Sequence, residues 1–216
     1  MTLQTLRLAC VRGARELFGG LDLELGAGEA LWVQGPNGSG KTSLLRLLCG
    51  LAAPAAGAVH WCGRDIRHLR EDFHRELLYI GHASGLKDEL SAAENLRLGA
   101  QLGGRQGDDA AVQRALGHVG LARASRLPAA RLSQGQRKRV ALARLHLPPV
   151  PRLLILDEPF NALDRDAADQ LSAALSAHLA LGGIVVYTTH QADALPAQRL
   201  QVLDLQALAA RRQRPC

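Results

Sequence analysis

The stretch Gly35–Thr42 reads Gly-Pro-Asn-Gly-Ser-Gly-Lys-Thr and matches the phosphate-binding loop G-x-x-x-x-G-K-[ST] at every fixed position. Glycines in such a loop allow tight turns and leave no Cβ between the backbone N–H groups and a bound anion. Lys41 supplies charge to the outer phosphates of a nucleotide, and the Thr42 hydroxyl can ligate Mg²⁺. The predicted phosphate contacts are Gly35, Pro36, Asn37, Gly38, Ser39, Gly40, Lys41 and Thr42.

A second group of residues that could take part in catalysis follows a short apolar run. Leu153–Leu156 is entirely apolar, as in a strand covered on both faces, and Asp157 and Glu158 come directly after it. Ligands of parallel sheets bind beyond the carboxyl ends of the strands, so both acids would face the phosphates. We expect Asp157 to hold Mg²⁺ and Glu158 to polarise the water that attacks the γ-phosphate. The alternative is that both acids are solvated and cap a turn.

The elements that must position these residues can be inferred from local patterns. Ala30–Gln34 is typical of a short buried strand, and Ser43–Cys49 is typical of a helix that ends at Gly50. Residues 1–29 indicate a small β region. Further strands are predicted at 58–61, 77–80, 184–187 and near 202–203, helices at 112–121, 135–147 and 166–181, and a capping box at 91–94.

Composition limits the possible partners and location. The 216 residues suit one domain with a sizeable core, and their formal net charge is +6. Aromatic residues make up only 3% of the chain and the basic residues are scattered, so we expect no nucleic-acid partner. A weak attraction to anionic lipid headgroups is the more useful implication. No apolar run approaches the roughly 18–20 residues of a membrane span, so the chain should stay in the cytosol unless a partner holds it at a membrane.

The four cysteines, Cys10, Cys49, Cys62 and Cys216, form no C-x-x-C pair. A reducing compartment is the simple interpretation, with Cys49 as a small buried hydrophobic residue. Alternation along a strand would put His60 and Cys62 on one face, but two ligands do not make a metal site.

A third motif lies between the loop and the acid pair. Leu132–Gln136 reads Leu-Ser-Gln-Gly-Gln and precedes the basic run Arg137–Arg139, which we expect to be mostly an exposed helix face. Alone it is a serine N-cap. In this order, however, the chain resembles the ATP-binding cassette family, whose signature is L-S-G-G-Q. The resemblance implies a head-to-tail homodimer in which Ser133 and Gly135, with Gln136, close over the γ-phosphate bound by the partner.

Two further stretches carry the same resemblance. Asn161–Asp164 is similar to the family's S-A-L-D loop, which links the two sites of the dimer, and Asp164 can also cap the next helix. Thr188–His190 ends a strand as the family's switch histidine does. The resemblance therefore implies that His190 contacts the γ-phosphate and senses its loss.

The chain departs from the family pattern at two positions. The family usually places an aromatic residue before the phosphate loop to stack on adenine, whereas this chain has Cys10–Arg12 near that slot. The Arg12 guanidinium could stack instead. The family's Q-loop usually has Gln about a dozen residues before Glu-Asn, and this chain has His82 there. A neutral His82 can accept a hydrogen bond from a metal-bound water or face a transport subunit.

The cassette resemblance covers essentially the whole chain and implies its fold. The expected class is α/β, with a P-loop NTPase core built on a parallel sheet, an N-terminal antiparallel β subdomain and an inserted helical subdomain. The single domain would span 1–216, with the core at about 1–81 and 150–216 and the helical subdomain at about 82–149.

A narrower resemblance, to the ATP-binding subunits of haem-export systems in cytochrome c biogenesis, is carried by Tyr79–His82, Leu156–Phe160 and the compact end after Thr188–Gln191. It implies an ATPase that uses ATP and Mg²⁺ and docks through residues 82–90. The implied partners are an integral membrane transport subunit of the haem exporter B type and haem-handling membrane subunits C and D, at the cytoplasmic face of the bacterial inner membrane. One alternative is the ATPase of another small bacterial exporter. A less favoured alternative is a soluble cassette ATPase of DNA repair or translation, since such proteins carry two cassettes or a long coiled coil, for which this chain is too short.

Overall fold

The structure is a computed structural model that describes residues 1–104, 107–190 and 195–212, with side chains up to residue 208. Gln191 and Cys216 lie outside the described residues. The strands are β1 (Thr2–Arg12), β2 (Arg15–Gly26), β3 (Ala30–Gln34), β4 (Ala56–Trp61), β5 (Arg64–Asp65), β6 (Leu77–Ile80), β7 (Leu153–Leu156), β8 (Ile184–Thr188) and β9 (Leu200–Asp204). The helices are α1 (Lys41–Leu48), α2 (Ile66–Leu69), α3 (Glu71–Arg75), α4 (Ala92–Leu102), α5 (Asp109–His118), α6 (Gln134–Leu142), α7 (Arg165–Ala180) and α8 (Leu205–Arg212).

The strands form two sheets. Five parallel strands lie in the order β6-β7-β8-β3-β9, and four antiparallel strands lie in the order β2-β1-β4-β5. The antiparallel sheet is built mainly by the N-terminal strands, and the helices α4 to α6 come between β6 and β7 in the chain. The predicted fold class is thereby confirmed.

The central strand β7 shows why its sequence is apolar throughout. Leu153 and Ile155 pack into a core shared with α1 and the antiparallel sheet, whereas Leu154 and Leu156 pack into a core shared with α7. Successive side chains of a strand point to opposite faces, so a strand covered on both sides must be apolar at every position. The acid pair, Asp157 and Glu158, comes directly after the end of this strand.

The helices between β6 and β7 have a core of their own, to which α4, α5 and α6 contribute side chains such as Leu96, Val112, Leu116 and Val140. The predicted capping box before α4 is confirmed, because the Ser91 hydroxyl accepts from the Glu94 N–H and the Glu94 carboxylate accepts from the Ser91 N–H.

Several predicted boundaries were wrong. The helix expected at 112–121 begins at Asp109, because the Asp108 side chain accepts from the Ala111 N–H and caps it one turn earlier. The helix expected at 135–147 ends at Leu142 and continues as a 3₁₀ segment to His146. The short elements β5, α2 and α3, and the helix α8, were not predicted.

Two findings concern the cysteines and the membrane. Cys10 and Cys49 are buried and Cys62 is exposed, and all three are free thiols. The prediction for Cys49 is confirmed, and burial raises the pKa of its thiol.

In the part of the chain that the structure describes, no helix combines the length and the apolar character needed to cross a bilayer.

Candidate active site

The loop between β3 and α1 has left-handed backbone at three glycines. The φ angle is +144° at Gly35, +79° at Gly38 and +105° at Gly40. A Cβ on Gly35 would lie 2.6 Å from the Ser39 Oγ, and one on Gly40 would lie 3.2 Å from the Leu17 Cβ. Conformation and space therefore both favour glycine, and the loop backbone can approach a phosphate without an intervening side chain.

Helix α1 begins directly after this loop, and no described side chain caps its first turn. The N–H groups of that turn and the helix dipole favour an anion at this end. Lys41 Nζ donates to the Gly35 carbonyl oxygen at 2.7 Å and lies 3.4 Å from the Pro36 carbonyl oxygen. The Ser39 hydroxyl is buried and has no hydrogen-bond partner among the described residues, which suits a phosphate oxygen.

The Asp157 carboxylate is held at both oxygens. Thr42 Oγ1 donates to Asp157 Oδ2 at 2.8 Å, and Thr188 Oγ1 donates to Asp157 Oδ1 at 2.8 Å. The Asp157 N–H donates to the Ile80 carbonyl oxygen at 2.8 Å, and Asp157 is buried. A hydroxyl and a carboxylate are hard oxygen donors of the kind that Mg²⁺ takes, so Thr42 and Asp157 fit this ion by type and by proximity.

Sequence reasoning gave Thr188 no role of its own. Thr188 Oγ1 donates to Asp157 and accepts from the Glu158 N–H at 2.8 Å, so one hydroxyl holds both acids. Strand pairing explains the contact, because Leu156 of β7 lies beside Tyr187 of β8. The residues that follow must meet at the same sheet edge, but this register is not visible in a single sequence.

Glu158 is buried and has a φ of +49°, which is uncommon for a residue with a side chain. Its Oε1 lies 3.3 Å from Nε2 of the exposed His190, and its Oε2 has no hydrogen-bond partner among the described residues. Trp32 Nε1 donates to the Thr189 carbonyl oxygen at 3.2 Å and thereby anchors the chain next to His190. A carboxylate that lines a cleft in this way can act as a general base toward water.

A cleft of about 570 Å³ brings these groups together: Asp157, Glu158, His190 and His82 line it, and so does the phosphate loop except for Gly35 and Ser39. His82 lies in the loop after β6 and is exposed. The structure therefore brings the predicted phosphate, metal and catalytic residues to one cleft, on the N-terminal end of α1 and the carboxyl ends of the parallel strands.

The β1–β2 hairpin contributes Arg12, Arg15 and Leu17 to the same cleft. Arg12 and Arg15 are direct partners across the hairpin. Sequence reasoning singled out Arg12 but missed Arg15, although the Gly13 turn between them was a usable hairpin signal.

The signature residues lie away from this cleft. Ser133 caps α6, since its Oγ accepts from the Gln136 N–H at 3.2 Å and Gln136 Oε1 accepts from the Ser133 N–H at 2.9 Å. A Cβ on Gly135 would lie 2.7 Å from the Ala162 carbonyl oxygen, so the helix start packs closely on the neighbouring loop. Asp164, in that loop, caps α7. None of these predicted residues lines the cleft formed by the described part of its own chain.

The basic run after the signature is not simply an exposed face. Lys138 is only 8% exposed, and its Nζ lies 3.5 Å from the Asp157 carbonyl oxygen. Burial lowers the pKa of Lys138, while the charges of Asp157 and Glu158 raise it. The expectation of an exposed face is wrong for this residue because α6 packs on the end of β7.

Comparison with known proteins agrees with this geometry. A family model described as ABC transporter matches residues 18–161. The cytochrome c biogenesis ATP-binding export protein CcmA of Aromatoleum aromaticum is 53% identical over 203 residues, which cover 94% of each chain. The protein of the same name from Nitrosospira multiformis is 48% identical over 204 residues, which cover 94% of this chain and 98% of the relative.

Solved structures agree on the fold. An ATP-binding subunit of an ABC transporter is 27% identical, with a TM-score of 0.81 over 95% of this chain and 87% of that one. The ATP-binding cassette MJ0796, in a dimeric post-hydrolysis state with ADP and Pi, is 23% identical, with a TM-score of 0.80 over 94% of both chains. The second likeness supports the fold alone.

Proposed function

The chain belongs to the ABC transporter family, and from this premise we propose that it is the ATP-hydrolysing subunit of a membrane complex for cytochrome c maturation. The observation that carries the proposal is the identity of about half of all residues with CcmA proteins over nearly the full length of both chains. The name of those relatives assigns them ATP binding and export in cytochrome c biogenesis.

We infer that Gly35–Thr42 wraps the phosphates of ATP and that Thr42 and Asp157 hold Mg²⁺. The support is the left-handed glycine backbone, the Lys41 ammonium at the loop, and the 2.8 Å contact between the Thr42 hydroxyl and Asp157. When bound, Mg²⁺ would neutralise charge on the outer phosphates. Lys41 would supply the remaining positive charge where the γ-phosphate leaves.

In the hydrolysis step, Glu158 would accept a proton from the water that attacks the γ-phosphate, giving ADP and phosphate. Glu158 lines the cleft beside the phosphate loop, which places its carboxylate near the proposed position of the γ-phosphate. His190, 3.3 Å from Oε1, would orient the carboxylate and contact the γ-phosphate. His82 lines the same cleft, and its imidazole could form a hydrogen bond with water at the γ-phosphate.

The signature residues would act on the partner's nucleotide in a head-to-tail homodimer. Ser133 and Gly135 lie outside their own cleft, yet the N-terminal turn of α6 presents N–H groups suited to an anion. Gln136 holds Ser133 in its capping geometry. Asp164 belongs to the loop on which Gly135 packs, so that loop would couple the two nucleotide sites of the dimer.

The adenine base would lie against the β1–β2 hairpin, with Arg12 stacking on it. A planar guanidinium stacks on aromatic faces, and Arg12 and Leu17 line the cleft beside the phosphate loop.

The division of the chain would follow the family, with an ATP-binding core at about 1–81 and 150–216 and a helical subdomain at about 82–149. A groove of about 640 Å³ lies at their junction and is lined by residues including Arg46, Tyr79, His82 and the exposed Leu102. We propose that an integral membrane subunit of the haem exporter B type docks there, and that haem-handling membrane subunits C and D belong to the same complex. The protein would then be peripheral at the cytoplasmic face of the bacterial inner membrane.

The test is deletion of the gene in the bacterium that encodes it. Covalently attached haem should disappear from periplasmic c-type cytochromes, while b-type haem stays normal. Wild-type protein should restore c-type haem and Glu158→Gln should not. Normal c-type cytochromes in the deletion strain would reject the cytochrome assignment and leave the ATPase of another transporter. In fractionation, the protein should sediment with membranes only when the partner subunits are expressed.

A further inference from the structure

The ammonium of Lys138 contacts the carbonyl oxygen of Asp157, at 3.5 Å, from the fifth residue of α6. Lys138 is more than nine-tenths buried, and it forms no ion pair within the part of the chain that the structure describes. Burying an ammonium is unfavourable, although the nearby charges of Asp157 and Glu158 offset part of the cost, and an apolar side chain of similar volume would usually serve packing as well. The position therefore calls for a role that packing does not supply.

The peptide unit that Lys138 contacts is held on both sides. The Asp157 carbonyl oxygen faces Lys138, and the N–H of the same peptide, which belongs to Glu158, donates to Thr188 Oγ1 at 2.8 Å. Because a peptide unit is planar, two contacts from opposite sides fix its orientation. One contact comes from β8 and the other from α6.

This orientation matters because of the backbone of Glu158. Its φ of +49° is disfavoured for a residue with a Cβ, and such conformations persist only where neighbouring groups hold them. The contacts of Thr188 and Lys138 are the described polar contacts on the peptide that precedes Glu158. They hold the peptide from which the Glu158 side chain branches, while His190 contacts the carboxylate itself.

We propose that Lys138 is a positioning residue for ATP hydrolysis, which holds the Asp157–Glu158 peptide so that the Glu158 carboxylate faces the attacking water. The proposal rests on the function proposed above for Glu158. Ser133 and Gly135 begin the same helix that carries Lys138, so a displacement of that helix reaches Glu158 through the Lys138 ammonium. The orientation of the general base is thereby linked to the position of the signature residues.

The test compares Lys138→Met with Lys138→Arg in the full chain. Methionine keeps the length and packing but cannot donate, so kcat should fall about ten- to hundredfold with KM for ATP unchanged. Arginine keeps the donor and the charge and should recover most of kcat. The matched control is Arg139→Met, which removes the next charge on α6, whose guanidinium lies toward Gly120, and should leave kcat unchanged. Melting temperature and ATP affinity verify folding, and Lys138→Leu serves if the methionine variant does not fold.

A second comparison separates positioning from packing. In a Glu158→Gln background no carboxylate is left to orient, so adding Lys138→Met should not reduce the residual rate further. The proposal would be overturned if Lys138→Met kept the wild-type kcat or changed only KM. It would also be overturned if Arg139→Met lost as much kcat, or if Lys138→Met reduced the rate of the Glu158→Gln variant by its full factor. If Glu158→Gln alone is inactive while Lys138→Met is fully active, this proposal fails and the role of Glu158 stands.

Discussion

The hydroxyl of Thr42 and Oδ2 of Asp157 are joined by a hydrogen bond of 2.8 Å, although the residues lie 115 positions apart. Thr42 is in the first turn of α1, and Asp157 directly follows β7. The bond therefore connects the loop proposed to hold the phosphates with the strand end that carries Glu158. A change at either residue should therefore affect both the phosphate loop and the strand end that carries Glu158.

Lys41→Ala should abolish ATP hydrolysis, because the variant lacks the positive charge at the outer phosphates. The steady-state release of phosphate from purified protein measures this directly. Wild-type turnover in the variant would show that the loop at Gly35–Thr42 is not the active nucleotide site.

Glu158→Gln should bind ATP but hydrolyse it at least about 100-fold more slowly, since an amide cannot accept the proton of the attacking water. The variant should also accumulate an ATP-bound dimer on size-exclusion chromatography. Hydrolysis at a rate near that of the wild type would place the general base at another residue.

Ser133→Arg should leave ATP binding intact and stop hydrolysis, because the signature is proposed to act on the partner's ATP. Mixing this variant with Lys41→Ala protomers should restore at most one composite site per dimer. Loss of ATP binding by isolated Ser133→Arg monomers would contradict the head-to-tail arrangement.

Arg12→Ala should raise KM for ATP about two- to fivefold without changing kcat, as expected for an exposed guanidinium that stacks on the base. Competition by tripolyphosphate, which has no base, separates stacking from simple charge attraction. If stacking is the role, the affinity for tripolyphosphate should be the same in wild type and variant, and an equal loss for both ligands would contradict it.

The stability of the protein should fall below neutral pH. His146 stacks on His118 with ring centroids 4.8 Å apart, and burial, followed by the charge of His118, lowers the pKa of His146. The unfolded chain, with a histidine pKa of about 6.5, then binds protons more readily, so stability is lost as the pH falls below that value toward the lowered pKa. His146→Phe should reduce the drop in melting temperature between pH 7.5 and 5.5.

Some of that drop should remain in His146→Phe, because burial also lowers the pKa of His178. A drop as large as in the wild type would show that His146 does not contribute. A variant at the exposed His68 serves as the control and should not change the drop in melting temperature between pH 7.5 and 5.5.

The fold, the phosphate loop and the position of the acid pair were predictable because their sequence signals are local. The glycine spacing of 35–42, the apolar run Leu153–Leu156 and the capping box at Ser91 each specify a backbone conformation within a few residues. The four- and five-residue helices α2 and α3 show no periodicity of their own. The contacts of Thr188 and Lys138 with the acid pair depend on strand register and on helix packing. Those contacts join distant parts of the chain and cannot be found from spacing.

The hydrogen bond from the Trp32 indole to the Thr189 carbonyl gives the protein an optical reporter of its own. The chain has two tryptophans, and the other, Trp61, is buried in the antiparallel sheet beside Phe73. In a Trp61→Phe variant, all indole emission would come from Trp32, whose ring is hydrogen-bonded to Thr189, the residue before His190. Movement of that histidine as the nucleotide changes should then appear as a shift in emission wavelength, so the catalytic cycle can be followed in real time without a label.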